Sequence, residues 1–198
     1  MDTSAQDRSR FGPTLQCLLD VPRLPELGVG EPDMAFRHDL ESLTPETLFG
    51  PVRDPKAASA CLAGVWLHFD FLDQSHRISQ NLDTTSGSYW HGIVHRREGD
   101  FANASYWFRR VGDHAILGAL GAAAAALLAH ESDHPRLERL TRGGPWDPQR
   151  FVDICKACAS QNLPDEEVCK RIQRLEWDLL FDHCQRQALA GPDLPGTA

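Results

Sequence analysis

The fold of this chain is indicated most clearly by residues 66–114, which read WLHFDFLDQSHRISQNLDTTSGSYWHGIVHRREGDFANASYWFRRVGDH. Apolar residues recur in this stretch at steps of three and four, which is the period of an amphipathic helix. Gly99 and Asp100 interrupt that pattern and predict a turn between one helix at about 88–98 and another at about 101–111. The stretch therefore predicts a helical hairpin.

The same period continues on both sides of the hairpin. Upstream, Asp54-Pro55 offers a capping side chain before a first-turn proline, and it predicts one long helix from about Pro55 to Gln80. Further helices are predicted at about 115–131, 148–160 and 164–191, and no alternating run predicts a strand. We predict an all-α fold: a single-domain irregular helical bundle over 13–191, with a disordered N-terminus at 1–12 and a flexible C-terminus at 192–198.

Composition and charge exclude several classes of protein. The formal net charge of −8 argues against general nucleic-acid binding, which needs a basic face. The longest apolar run, at 116–129, is shorter than the roughly 20 residues that span a bilayer, so no membrane segment is expected. The six cysteines lack a secretory context, and they predict reduced thiols and a cytoplasmic location. The oligomeric state stays open.

Histidines are concentrated in the stretch 66–114. It holds five of the nine in the chain, namely His68, His76, His91, His95 and His114. Histidine titrates near neutral pH and is the commonest metal ligand in proteins. His91 and His95 are spaced i, i+4 on one helix face, as in the HExxH helix, although HGIVH lacks the internal glutamate. With His76 they predict a site for a divalent metal ion; metal-free acid–base chemistry and a structural polar network are the alternatives.

Four residues are candidates for catalysis. His76 continues the apolar stripe of the predicted helix 55–80, and Asp73 lies three residues before it, where it could orient the imidazole as a base. His95 and Glu98 share a face of the next helix and would add a ligand or an acid. The alternative for His76 is a hydrogen-bonded histidine of the core, because buried polar groups usually find ordinary partners.

Arginines of the hairpin are candidates for substrate binding. Guanidinium groups bind carboxylate and phosphate in bidentate geometry, so Arg97 and Arg110 are predicted to hold a small anionic substrate. The accompanying binding residues are predicted to be Tyr106, Asn103 and Trp90. Ordinary pairing with nearby carboxylates is the alternative for at least two of the hairpin's four arginines. Glu176 of the last helix is predicted to pair with an arginine such as Arg97 or Arg110, with a carboxylate of the histidine cluster as the alternative.

Two resemblances accompany these patterns. The small and aromatic positions of the segment 88–111 resemble those of a tetratricopeptide helix pair: Gly92, Gly99, Phe101, Ala104 and Phe108. The match covers about one repeat, without the usual tryptophan–leucine start or second-helix proline, and no 34-residue echo follows. The wider segment SYWHGIVHRREGDFANASYWFRRVGDH, with LEWDLLFDHC at 175–184, resembles a group of uncharacterised bacterial and fungal all-helical proteins. That resemblance implies no catalytic residues.

Two functions are consistent with the sequence. The first is a small all-α enzyme, a hydrolase or lyase that performs acid–base or metal-assisted chemistry on a small anionic substrate. The second is a tetratricopeptide-like module that binds a protein partner without catalysis. Polar residues along a core-facing stripe favour the enzyme, because scaffold helices do not need them.

Overall fold

The computed structural model describes residues 13–131, 134–141, 146–161 and 163–190, and these residues form helices and no strand. The helices are α1 (Pro13–Leu19), α2 (Arg37–Glu41), α3 (Pro45–Phe49), α4 (Pro55–His68), α5 (Leu72–Ser79), α6 (Thr85–Glu98), α7 (Phe101–Val111), α8 (Leu117–Leu128), α9 (Glu138–Thr141), α10 (Pro148–Gln161) and α11 (Glu166–Ala190), with a short 3₁₀ turn at Met34–Phe36. The predicted all-α single-domain bundle is confirmed. The predicted disordered and flexible termini lie outside the described residues.

Three helices build the centre of the bundle. Helix α4 packs against α3, α5, α6 and α11, and α6 makes its most extensive contact with α7. Gly64 allows the close approach, because a Cβ atom there would lie 2.8 Å from the indole of Trp90 on α6. The Nε1 of Trp177 on α11 donates to the Gly64 carbonyl at 2.8 Å. Because Gly64 has no side chain, α4 can pack closely against both α6 and α11.

Side-chain caps fix where the site-bearing helices begin. The Thr84 hydroxyl accepts from the Gly87 amide at 2.9 Å, so α6 begins three residues before the predicted Ser88. Gly99 ends this helix in the left-handed conformation (φ = 78°), and the Asp100 carboxylate accepts from the Asn103 amide to begin α7. The predicted hairpin is therefore present.

The predicted long helix from Pro55 to Gln80 is wrong. Helix α4 ends at His68, and Asp70 adopts a left-handed conformation (φ = 65°) before α5 begins at Leu72. The sequence at this corner contains no glycine or proline that would predict a break in the helix. It is held instead by tertiary ion pairs to the Asp70 carboxylate, from Arg97 at 2.5 Å and from Arg23 at 2.8 Å. Because of the corner, α5 packs against α6 as well as α4.

The length and polarity of a helix decide whether it can span a membrane. Within the described part of the chain, every helix is too short or too polar to cross a bilayer.

Candidate metal centre

Three imidazoles from two helices meet between α5 and α6. His76 comes from α5, and His91 and His95 come from successive turns of α6. The ring centroid of His76 lies 4.6 Å from that of His91 and 4.9 Å from that of His95, and the rings of His91 and His95 are stacked at 4.7 Å. One ring nitrogen from each histidine lies within 4.8 Å of the other two. The structure thus brings together the three predicted metal ligands.

Glu98 supplies a carboxylate at the edge of this cluster. Its Oε2 atom lies 3.1 Å from the Nδ1 of His95, and its Oε1 atom lies 3.8 Å from the Nδ1 of His76. The side chains of His76 and Glu98 are 31% and 28% exposed, whereas His91 is buried. The cluster therefore has a closed side at His91 and a side open to solvent at His76 and Glu98.

The buried ring nitrogens of His91 lack hydrogen-bond partners. Neither of them has one among the described residues. The Nδ1 of His95, in contrast, lies 3.1 Å from the Glu98 carboxylate. Most buried polar side-chain atoms in proteins are bonded, and an exception calls for an explanation such as an ion. The ring of Trp107 stacks on His91 with centroids 4.0 Å apart and contributes no acceptor there.

Burial keeps the imidazoles of His91 and His95 in the form that binds metals. Burial lowers the pKa of His91 to about 3, and the nearby His95 and His76 act in the same direction. Burial also lowers the pKa of His95, although the Glu98 carboxylate opposes that change. A neutral imidazole offers the lone pair that a metal ion needs, so neither residue must first lose a proton at neutral pH.

The donor set fits a first-row transition metal. Imidazole suits zinc, copper, iron and nickel, whereas magnesium and calcium prefer oxygen ligands. Zn–N bonds of about 2.0–2.1 Å place tetrahedral ligand atoms about 3.4 Å apart. The outermost separation of 4.8 Å exceeds that value by about 1.4 Å, so the side chains would have to rotate towards one another to close on an ion. Glu98 can serve as a fourth ligand or leave that position to water.

Asp73 does not take part in this arrangement. It lies exposed in the first turn of α5, and among the described residues its carboxylate makes no contact with His76. Its backbone carbonyl accepts from the Nε of Arg77 at 3.2 Å. Glu98, and not Asp73, is the carboxylate beside His76.

Arg97 and Trp90, both predicted to bind substrate, are core residues. The Arg97 guanidinium is 1% exposed and is taken up by the Asp70 carboxylate and by three backbone carbonyls, those of Gly28, Val29 and Leu67. Trp90 is completely buried against Gly64. These contacts correct both predictions, because neither side chain is free to reach a bound molecule.

The remaining predicted binding residues lie on α7. Asn103 donates to the Asp100 carboxylate at 2.7 Å, so its amide serves as part of a helix cap. The Arg110 guanidinium lies over the rings of Tyr106 and Trp107, at 5.9 and 5.3 Å from their centroids. Trp107 therefore links the buried His91 to an exposed guanidinium. The spacing of the sequence does not indicate this link, because the proximity of Trp107 to the histidines follows only from the packing of α7 on α6.

Two other histidines of the stretch 66–114 have separate surroundings. The Nδ1 of His68 lies 3.2 Å from Nη1 of Arg174, and burial with the charges of Arg174 and Arg23 lowers the His68 pKa to about 3. The Nε2 of His114 lies 3.1 Å from the Ser86 hydroxyl. These two histidines belong to the polar contacts of the core.

Comparisons of the chain with protein-family models, with curated proteins and with solved structures gave no match. The resemblance of the hairpin to a tetratricopeptide pair and the resemblance to uncharacterised bacterial and fungal proteins therefore stay predictions. Fold and site together define an all-α protein with a candidate three-histidine metal centre.

Proposed function

We propose that this protein is a metal-dependent enzyme, a hydrolase or lyase, in which His76, His91 and His95 hold a divalent transition metal ion and Glu98 acts as the acid or base. The observation that carries the proposal is the convergence of three imidazoles, of which the buried His91 has no partner for either ring nitrogen among the described residues. An ion held there would supply a Lewis acid and lower the pKa of a bound water towards 7. Glu98 lies at the solvent side, where a substrate would enter.

A small anion is the substrate class that the neighbouring charges favour. Arg110 pairs with no carboxylate among the described residues, and its guanidinium contacts the same indole that stacks on His91. Such a guanidinium can bind a carboxylate or a phosphate ester. Several other basic side chains of the protein, unlike Arg110, already pair with carboxylates, those of Asp182, Glu131 and Glu166. Of the two predicted arginines, Arg110 therefore stays the proposed anion-binding residue, and Arg97 does not.

The thiols support a cytoplasmic location, which is part of the proposal. All six cysteines are free, and five of them are buried. Free thiols persist in a reducing compartment.

Elemental analysis of protein purified without an affinity tag tests the metal. We expect one equivalent of a transition metal in the wild-type protein and its loss in His91→Gln and His95→Gln. His38→Ala is the matched control, because His38 is an exposed histidine on α2 and should leave the metal content unchanged. Wild-type protein that binds no transition metal under any condition contradicts the proposal.

A kinetic assay then separates catalysis from binding alone. The metal-loaded protein is screened on phosphate and carboxylate esters, and Glu98→Gln is expected to lower kcat about 100-fold or more, as for loss of a general acid or base. Two results together would support the tetratricopeptide-like interaction module instead. The metal-loaded protein would show no activity, and a protein partner of the wild type would still bind the His76→Asn variant.

A further inference from the structure

The corner between α4 and α5 is tied to the end of α6 by one buried guanidinium. Arg97 follows His95 by two residues on α6, and its Nη2 atom lies 2.5 Å from the Asp70 carboxylate at the corner. The Nη1 atom of the same side chain donates at 3.1 Å to the carbonyl of Leu67, in the last turn of α4. Arg97 therefore joins the helix that carries two of the histidines to the point where α5 departs.

The direction of α5 depends on this corner. Asp70 holds a left-handed conformation (φ = 65°), which a residue other than glycine seldom adopts without support from its surroundings. Helix α5 begins two residues later at Leu72, and His76 lies about one turn into it. A change in the corner would move His76 relative to His91 and His95, because those two lie on a different helix.

The segment 23–30 covers the Asp70–Arg97 ion pair and keeps it away from water. The Arg97 Nε atom donates to the Gly28 carbonyl at 3.0 Å, and Arg23 donates to the second carboxylate oxygen of Asp70 at 2.8 Å. Gly30 passes so closely that a Cβ atom there would lie 2.9 Å from the Asp70 Cγ. Both charged groups are almost completely buried, at 1% exposure for the Arg97 side chain and 7% for Asp70. Low exposure makes the geometry of such a pair rigid.

We propose that Asp70 and Arg97 are positioning residues of the metal centre: their ion pair fixes His76 against His91 and His95 and so sets the affinity for the metal ion. This inference rests on the proposed metal centre. Residues that do not bind the metal themselves but orient its ligands typically contribute a factor of about 10 to 100 in metal affinity.

The neighbouring arginine provides a matched control. Arg96, the preceding residue, also makes a buried ion pair, but its partner Glu176 lies on α11. Helix α11 carries none of the three histidines of the cluster. Both ion pairs are buried, so a general loss of stability would lower metal affinity alike in variants of either pair. Loss of ligand positioning would lower it only in variants of the Asp70–Arg97 pair.

The test is a titration with Zn²⁺ against a chromophoric chelator, and with Co²⁺ followed by its d–d absorption. Asp70→Asn and Arg97→Lys are expected to weaken zinc binding about tenfold or more and to reduce the tetrahedral Co²⁺ absorption. Glu176→Gln, measured on folded protein, should bind within about twofold of wild type, because Glu176 lies on α11, which carries none of the three histidines. Affinity and spectrum unchanged in folded Asp70→Asn and Arg97→Lys would overturn the inference and leave the metal centre standing.

Failure of the metal centre would be seen separately, as wild-type protein that binds neither ion. If both charge variants fail to fold, Arg23→Met serves in their place, because Arg23 is partly exposed and donates both to the second carboxylate oxygen of Asp70 and to the His68 carbonyl, so its loss removes part of the support of the same corner. A severalfold weaker affinity in that variant supports the inference, and an affinity equal to that of wild type overturns it.

Discussion

Helix α6 carries two buried polar clusters that differ in how their polar atoms are bonded. On one face, Arg96 and the Tyr89 hydroxyl both bond the Glu176 carboxylate, and Arg96 also donates to Gln173 at 3.2 Å. In this Arg96–Glu176 cluster the Arg96 Nε is the one atom of these side chains without a described partner. On the other face, the histidine cluster leaves both nitrogens of His91 unbonded.

Under the proposed function, this difference separates a structural network from a ligand site. A buried charge is tolerated when its partners are supplied by the fold, and α11 supplies them to Arg96. The histidine cluster has converging donors whose partner the described residues do not provide. We infer that the missing partner is a ligand.

The largest effect is expected from removing the carboxylate of the Arg96–Glu176 cluster. Glu176→Ala leaves the Arg96 guanidinium buried without its counter-ion, which typically costs about 3–5 kcal/mol of the free energy of unfolding. Chemical denaturation measures it, and Glu41→Ala is the control, since its exposed i, i+4 pair with Arg37 contributes only about 0.3–0.5 kcal/mol. A loss below about 1 kcal/mol would show that this cluster is not the structural one.

Zinc is expected to stabilise the histidine cluster and leave the Arg96–Glu176 cluster unaffected. At a free zinc concentration 100 times Kd, the free energy of unfolding rises by about 2.7 kcal/mol. For a domain of this size the Tm then rises by roughly 5–10 °C. Mg²⁺, which prefers oxygen ligands, should give no shift, and the His91→Gln/His95→Gln double variant should lose the response to zinc. An equal zinc shift in that double variant would place the ion elsewhere.

Acid should destabilise the metal-free protein through its buried histidines. The folded-state pKa of His91 is lowered from 6.5 to about 3, so between these values the unfolded chain binds more protons than the folded protein. Stability is therefore complete above about pH 6.5 and falls as the pH drops towards 3, by about 1.4 kcal/mol per pH unit for each such group.

Urea midpoints measured across this range test the prediction, and His91→Gln should reduce the slope. His68 and His114, whose pKa values are lowered to about 3 and about 4, contribute to the slope that remains. A slope identical to that of wild type in His91→Gln would mean that this imidazole is already protonated in the folded protein.

The smallest effect is expected at the indole that covers the cluster. Trp107→Leu removes the stacking on His91, and such aromatic pairs contribute about 0.5–1.5 kcal/mol beyond their buried area. The variant should also expose His91 and raise its pKa towards the ordinary value, which NMR titration of the ring protons would detect. Arg110→Gln, a substitution on the exposed side of α7, should change stability by less than about 0.5 kcal/mol. An unchanged His91 pKa in Trp107→Leu would contradict the covering role.

Much of this site could be predicted from residue spacing. The i, i+4 pair His91 and His95 and the i, i+3 pair His95 and Glu98 require only that α6 be a helix, and the structure places these side chains together. His76 was also predicted to join them, but from an apolar stripe along a continuous helix. It reaches the cluster by a different route, after the corner at Asp70.

The rest depends on contacts between residues far apart in the sequence. Nothing local marks Asp70 as a corner; its conformation is supported by Arg97 and Arg23, which lie 27 and 47 residues away. In the same way, charge alone could not separate Arg97, which is buried against backbone carbonyls, from Arg110, which is exposed. Glu176 was predicted to pair with Arg97 or Arg110 and pairs with Arg96 instead, because that side of α6 faces α11.

X-ray absorption at the zinc edge of the zinc-loaded protein tests the central claim most directly. We expect three imidazole nitrogens at about 2.0–2.1 Å with oxygen completing the shell, and loss of that signature in His91→Gln. Sulfur neighbours at about 2.3 Å would instead assign the ion to the thiols of this six-cysteine chain and contradict a metal centre built by α5 and α6.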